Sequence, residues 1–137
     1  MMASNLQKSA ELEGVSILLV EDSWQVAKAL KSLLQILGAD VAGPAATVAD
    51  AEHLISEHIP DVALVDFNLR GGEQASGVID RLYDHGVPVI VITGYAVIPL
   101  APEKAVAILQ KPITSAELLA TLRPVIAQKT RVRGSLS

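Results

Sequence analysis

The chain has 137 residues, half of them hydrophobic, with only 3% aromatics and a formal net charge of −4. That is the size of one domain, and the acidic balance argues against a nucleic-acid surface. With no cysteine there is no disulfide frame and no thiolate chemistry, and every apolar run falls well short of the ~20 residues that cross a bilayer.

Residues 1–14 are polar and lack an apolar h-region, so they read as a flexible N-terminal tail rather than a signal peptide, and a cytoplasmic protein is expected. A core poor in aromatics must be built from Val, Ile, Leu and Ala, which suits a parallel sheet covered by helices on both faces. "VSILLV" (Val15–Val20) is the first strand. "SWQVAKALKSLLQILG" follows as a helix, because Val26, Leu30, Leu33, Leu34 and Leu37 recur at helical spacing and Gly38 ends it. A weaker strand lies near Asp40–Gly43, with Pro44 as its stop. Thr47 with Asp50 three residues on has the form of a capping box opening the helix "VADAEHLISEH". "DVALVDF" is the third strand. After Gly71-Gly72, "QASGVIDRLYDHG" is a helix that buries Val78, Ile79 and Leu82. "VPVIVIT" and "AVAILQ" are the fourth and fifth strands. Pro99 and Pro102 lie between them, so any helix there is short or irregular. Thr114 and Glu117 cap a final helix, "SAELLATLRPVIA", which leaves residues 128–137 as a polar, flexible tail.

Strands alternating with helices give βα repeats, hence one parallel sheet with right-handed crossovers. Ligands of such sheets bind beyond the carboxyl ends of the strands. Those ends carry Glu21-Asp22, then Asp66 with Asn68, then Thr93-Gly94-Tyr95, then Lys111-Pro112. An apolar strand that ends in a carboxylate is costly unless the charge has a partner, and converging carboxylates repel one another. A divalent cation resolves both. Mg²⁺ takes one or two carboxylates and keeps waters and phosphate oxygens, so Glu21, Asp22 and Asp66 suffice, with the backbone carbonyl at Asn68 as a further ligand. Lys111 can orient Asp66, which can then attack phosphorus as a carboxylate nucleophile. Thr93 and the amide of Gly94 would receive the phosphoryl group.

Singly, each of these residues has an ordinary reading. A strand-end Asp is commonly a turn or cap residue, an acid pair caps a helix, Thr93 reads as a strand-end hydroxyl and Lys111 as a surface lysine. The four together at one sheet edge are what carry the chemistry. Trp24 reads as helix packing, and His53, His58 and His85 fall on helices with no i, i+4 pair.

The ordered set of acid pair, Asp, Thr and Lys-Pro resembles a response-regulator receiver domain over residues 15–127. The resemblance implies a doubly wound, five-stranded flavodoxin-like sheet. It also implies Asp66 as phosphoacceptor, Mg²⁺ on Glu21, Asp22, Asp66 and the Asn68 carbonyl, and Thr93 and Lys111 on the phosphoryl group. "VPVIVITGYA" followed by "AILQKP" is similar to the Phe-Ala-Thr-Gly-Tyr-type receivers common as stand-alone proteins in alphaproteobacteria, with Val91-Ile92 in place of Phe-Ala. The usual switch aromatic is replaced by Ile108, which makes Tyr95 the candidate switch. The implied function is a single-domain response regulator that catalyses its own phosphotransfer and dephosphorylation rather than a turnover enzyme. The implied partners are a histidine kinase or histidine phosphotransfer protein and a downstream protein, with homodimerisation as an option, and no nucleic acid or membrane. Two other functions share parts of this pattern. An Asp-nucleophile phosphatase commonly has a second acid two residues after the nucleophile, where this chain has Asn68. A flavodoxin-like FMN binder needs a glycine- and hydroxyl-rich phosphate loop where this chain has Glu21-Asp22.

Overall fold

The structure, a computed structural model, describes residues 11–136, with side chains through Lys129. Its strands are β1 (Ser16–Val20), β2 (Asp40–Ala45), β3 (Val62–Asp66), β4 (Val89–Thr93) and β5 (Ala107–Gln110). The helices are α1 (Trp24–Ile36), α2 (Val48–Glu57), α3 (Ser76–Asp84) and α4 (Ser115–Leu136). All neighbouring strands are parallel, in the order β2-β1-β3-β4-β5. The chain steps from β1 outward to β2, then returns past β1 to β3. That reversal opens a crevice between the carboxyl ends of β1 and β3, and the acids at positions 21, 22 and 66 stand there.

Successive strand residues point to opposite faces, so aliphatic runs feed two cores. One holds Ile17, Leu19, Leu64, Ile90 and Ile92 against Ala27 and Leu34 of α1 and Leu118 and Leu122 of α4. The other holds Leu18, Val20, Val65 and Val91 against Ala51 and Ile55 of α2 and Val78, Ile79 and Leu82 of α3. Two-sided burial is why β3 and β4 are buried at every position and read as continuous apolar stretches.

The local signals behave as their chemistry predicts. The Thr47 hydroxyl accepts from the Asp50 amide at 3.1 Å. At the start of α4 the box is reciprocal: Thr114 Oγ1 accepts from the Glu117 amide at 3.1 Å, and Glu117 Oε1 accepts from the Thr114 amide at 3.2 Å. Between β4 and β5 no α-helix forms; a single 3₁₀ turn at Pro102–Lys104 stands in its place.

Four expectations are corrected. β2 does not stop before Pro44 but continues to Ala45. It is an edge strand, where a residue without an N–H removes no ladder bond. Gly43 turns the chain at φ +103, and the register shifts between Leu18 and Val20. A Cβ at Gly43 would stand 2.5 Å from the Leu19 carbonyl oxygen. The ladder then resumes with the Glu21 amide donating to the Ala45 carbonyl at 2.9 Å, which fixes the backbone of the first site acid. The end of the expected N-terminal tail is packed against the domain: Leu12 is buried and its amide donates to the Leu37 carbonyl at 2.7 Å. Residues 1–10 of the expected tail lie outside the described residues. At the other end α4 runs through Pro124, passes the expected limit at Ala127 and reaches Leu136, because Ala127, Gln128, Lys129 and Arg131 favour helix and neither Gly nor Pro lies between Ala127 and Gly134. Finally, Trp24 is not core packing. It is 69% exposed in the first turn of α1, with Lys28 Nζ 4.9 Å from its ring centre.

Candidate functional site

Each site residue is placed by the strand that precedes it. β1 delivers Glu21 and Asp22, and Ser23 then caps α1 by accepting from the Val26 amide. β3 delivers Asp66, which pairs in register with Ile92 of β4, so Thr93 emerges one residue further along that neighbouring strand. β5 ends at Gln110, opposite Thr93, and the Lys111 amide donates to the Thr93 carbonyl at 2.8 Å. The sheet register therefore gathers residues that are up to 90 positions apart in sequence.

Glu21, Asp22 and Asp66 each offer a carboxylate oxygen within 4.8 Å of the others. Lys111 Nζ lies 3.0 Å from Asp66 Oδ2 and 3.2 Å from Glu21 Oε1. Asp66 Oδ1 accepts from the Asn68 amide at 3.2 Å, and Glu21 Oε2 accepts from the Ser23 amide at 3.1 Å. Glu21, Asp66 and Thr93 are the buried polar side chains among the described residues. Burial drives the Glu21 pKa up to about 7, reinforced by the charge of Asp66 and opposed by the Ser23 amide and Lys111. Burial also works against the charge on Lys111, yet the hydrogen bond to Asp66 and the fields of both carboxylates win, and its pKa lies above the ordinary lysine value.

The site fits a hard divalent cation on its own chemistry. The donors are all oxygen. Glu21 Oε1 is buried and, despite the Lys111 ammonium nearby, has no hydrogen bond, so a buried acceptor is left over. Three acids against one ammonium leave negative charge that a cation would neutralise. Glu21, Asp22 and Asp66 would hold it.

Gly94 and Tyr95 follow Thr93 on an exposed loop, and the Tyr95 amide donates to Thr93 Oγ1 at 3.0 Å. The Tyr95 side chain is 62% exposed and is not drawn into the acid cluster. Ile108, where the switch aromatic is absent, is half-exposed on β5. The histidines stay away from the site: His53 pairs with Glu57 along α2, while His58 and His85 end α2 and α3. One residue near the site escapes sequence reasoning. Arg70, in a 3₁₀ turn after Asn68, donates from Nη2 to the Asp22 carbonyl at 3.1 Å, and its only local signal is a positive charge beside Gly71-Gly72.

The chain matches the family model described as response regulator receiver domain over residues 17–123. It belongs to the receiver domain family. Among solved structures, it is similar to the receiver domain of the PhyR response regulator from Erythrobacter litoralis, with 25% identity and a TM-score of 0.73 over 84% of this chain and 92% of that one. It is also similar to SdrG from Sphingomonas melonis, with 30% identity and a TM-score of 0.70 over 82% of this chain and 96% of that one. The response regulator PhyR from Brucella abortus shares the fold at 20% identity and a TM-score of 0.78, over 98% of this chain and 55% of that one. No curated protein matches the chain in sequence. Among the described residues, no helix of this receiver is long and apolar enough to cross a membrane.

Proposed function

We propose that this receiver accepts a phosphoryl group from a phosphohistidine donor onto Asp66 and signals by protein–protein contact or by passing the group on. The reading rests on one observation: Asp66, at the end of a fully buried strand, is gathered with Glu21 and Asp22 and bonded to Lys111 at 3.0 Å. A carboxylate oxygen of Asp66 forms the new bond to phosphorus as the phosphorus–nitrogen bond of the donor breaks, and the released imidazole nitrogen takes a proton from water. Mg²⁺, when bound, supplies charge neutralisation and orients the phosphoryl oxygens. Lys111 carries the second positive charge. As an acceptor from the Tyr95 amide, the Thr93 hydroxyl keeps its own proton free to donate to the incoming group. Because that amide opens the β4–β5 connection, a shift of Thr93 would be felt first at Tyr95.

Asn68, two residues past Asp66, has no carboxyl to activate water, which separates this reading from a turnover phosphatase. Asp66→Ala abolishes labelling by acetyl phosphate while the protein still melts cooperatively. Equal labelling of wild type and variant would refute the assignment, and multiple turnover on a phosphate ester would favour the phosphatase.

A further inference from the structure

The loop between β3 and α3 is a small closed structure of its own. Asn68 bridges to Gln74, the Leu69 amide donates to the Glu73 carbonyl at 2.8 Å, and the Ala75 amide donates to the Phe67 carbonyl at 2.9 Å. Its tip is Arg70-Gly71-Gly72, where both glycines turn through the left-handed region, at φ +76 and +80. Two charged side chains then tie this loop to different neighbours. Arg70 reaches back across 48 positions to the Asp22 carbonyl. Glu73 Oε1 accepts from the amide of Val48, the first residue of α2, at 3.0 Å. The Val48 amide is one that a helix start leaves without an internal partner, and a carboxylate there is favoured by the helix dipole.

These ties bear on the cation site, because the loop they hold begins at Asn68, whose amide touches Asp66. We propose that Arg70 and Glu73 are positioning residues. They brace the acceptor loop between the β1–α1 loop and the N-terminus of α2, and so hold Asp22 and the Asn68 carbonyl in register with Asp66 before a cation arrives. The proposal rests on the receiver reading of the site. Neither side chain is a ligand; each acts by limiting how the two loops can drift apart. Both are exposed on the surface, so their removal leaves the cores untouched.

The field of the guanidinium and its bracing act with opposite signs, which makes the test decisive. If Arg70 matters only as a nearby positive charge, Arg70→Met tightens Mg²⁺ binding. If it braces the loop, Arg70→Met weakens it. Calorimetric Mg²⁺ titration of the full chain should show affinity lower by about tenfold in Arg70→Met and in Glu73→Ala, the range of outer-shell partners. Glu73→Gln keeps an oxygen for the Val48 amide and should bind as wild type. At saturating Mg²⁺ all three variants should label with acetyl phosphate at the wild-type rate, and all three should still melt cooperatively. Unchanged or tighter binding in Arg70→Met overturns the brace, as does a fall in Glu73→Gln equal to that in Glu73→Ala. Failure of the wild-type chain to take up Mg²⁺ overturns the proposed phosphoacceptor site and the brace with it. Normal wild-type uptake with unaltered variants overturns the brace alone.

Discussion

Between β1 and β2 the chain crosses the sheet on a 13-residue helix, whereas between β4 and β5 it crosses without one. Both connections start at a strand end that carries site residues, so their difference shows what the site needs. In the first, Ala27, Leu30, Leu33, Leu34 and Leu37 lay an apolar stripe on the sheet. In the second, Pro99 and Pro102 remove amides that a helix would use. Ile98, Leu100 and Ala105 still cover part of the core as an irregular strap. Lys104 pins that strap to α3, 3.3 Å from Asp80 Oδ1 and 4.4 Å above the Tyr83 ring. Tyr95, Val97, Val106 and Ile108 stay exposed on or beside it. Thr93 is nonetheless buried, because β-ladder bonds to β5 rather than a helix hold it. The placement of Thr93 is thus a property of the sheet, and a helix in the following connection is not required for it.

The contrast can be broken first through stability. Leu34, fully buried on α1, should cost about 2–5 kcal/mol when cut to Ala. Ile98→Ala on the half-buried strap should cost roughly 1 kcal/mol, since less surface is lost. Urea denaturation of the two variants measures both, and equal losses would mean that the strap is as much core as the helix. Chemistry provides the next test. Lys111→Met leaves the sheet register in place but removes the ammonium from Asp66, and labelling by acetyl phosphate should slow by about 100-fold. A variant labelled at the wild-type rate would show that strand register without Lys111 is enough.

The smallest effect concerns pH and isolates the β1 side of the site. The Glu21 pKa is raised from 4.5 to about 7. A raised folded-state value means that protonation favours the fold. This stabilisation is present in full below 4.5 and is lost as pH rises through about 7 in the absence of metal. A cation competes with that proton, so Mg²⁺ affinity should fall by up to about tenfold per unit as pH drops below the Glu21 value. Melts with and without Mg²⁺ across this range check the sign: the Mg²⁺-induced rise should be larger on the alkaline side. Trp24, exposed two residues from Asp22, gives a fluorescence signal for the same titration.

The strands, the helices and their alternation were legible because the signals are local. Aliphatic runs, helical spacing and capping pairs such as Thr114 with Glu117 act within a few residues of one another. The site acids, Thr93 and Lys111 were legible for a related reason: a parallel sheet aligns strand ends, so knowing where each strand stops is enough to list them. Trp24 misled because an apolar ring at a helix start says nothing about which way the helix turns. Pro44 misled because its cost depends on whether the strand lies at an edge, which one strand's sequence does not state.

Sequence by itself determined the parallel α/β class, the irregular fourth crossover and the set of residues at the carboxyl edge. Only the tertiary structure decided that Leu12 is core, that Glu21 keeps an unsatisfied buried oxygen, and that Arg70 and Glu73 hydrogen-bond to the Asp22 carbonyl and the Val48 amide. The physical reason is range. Periodicity and capping are written by neighbours in the chain, whereas burial and long hydrogen bonds are set by partners whose distance in sequence carries no trace of their distance in space.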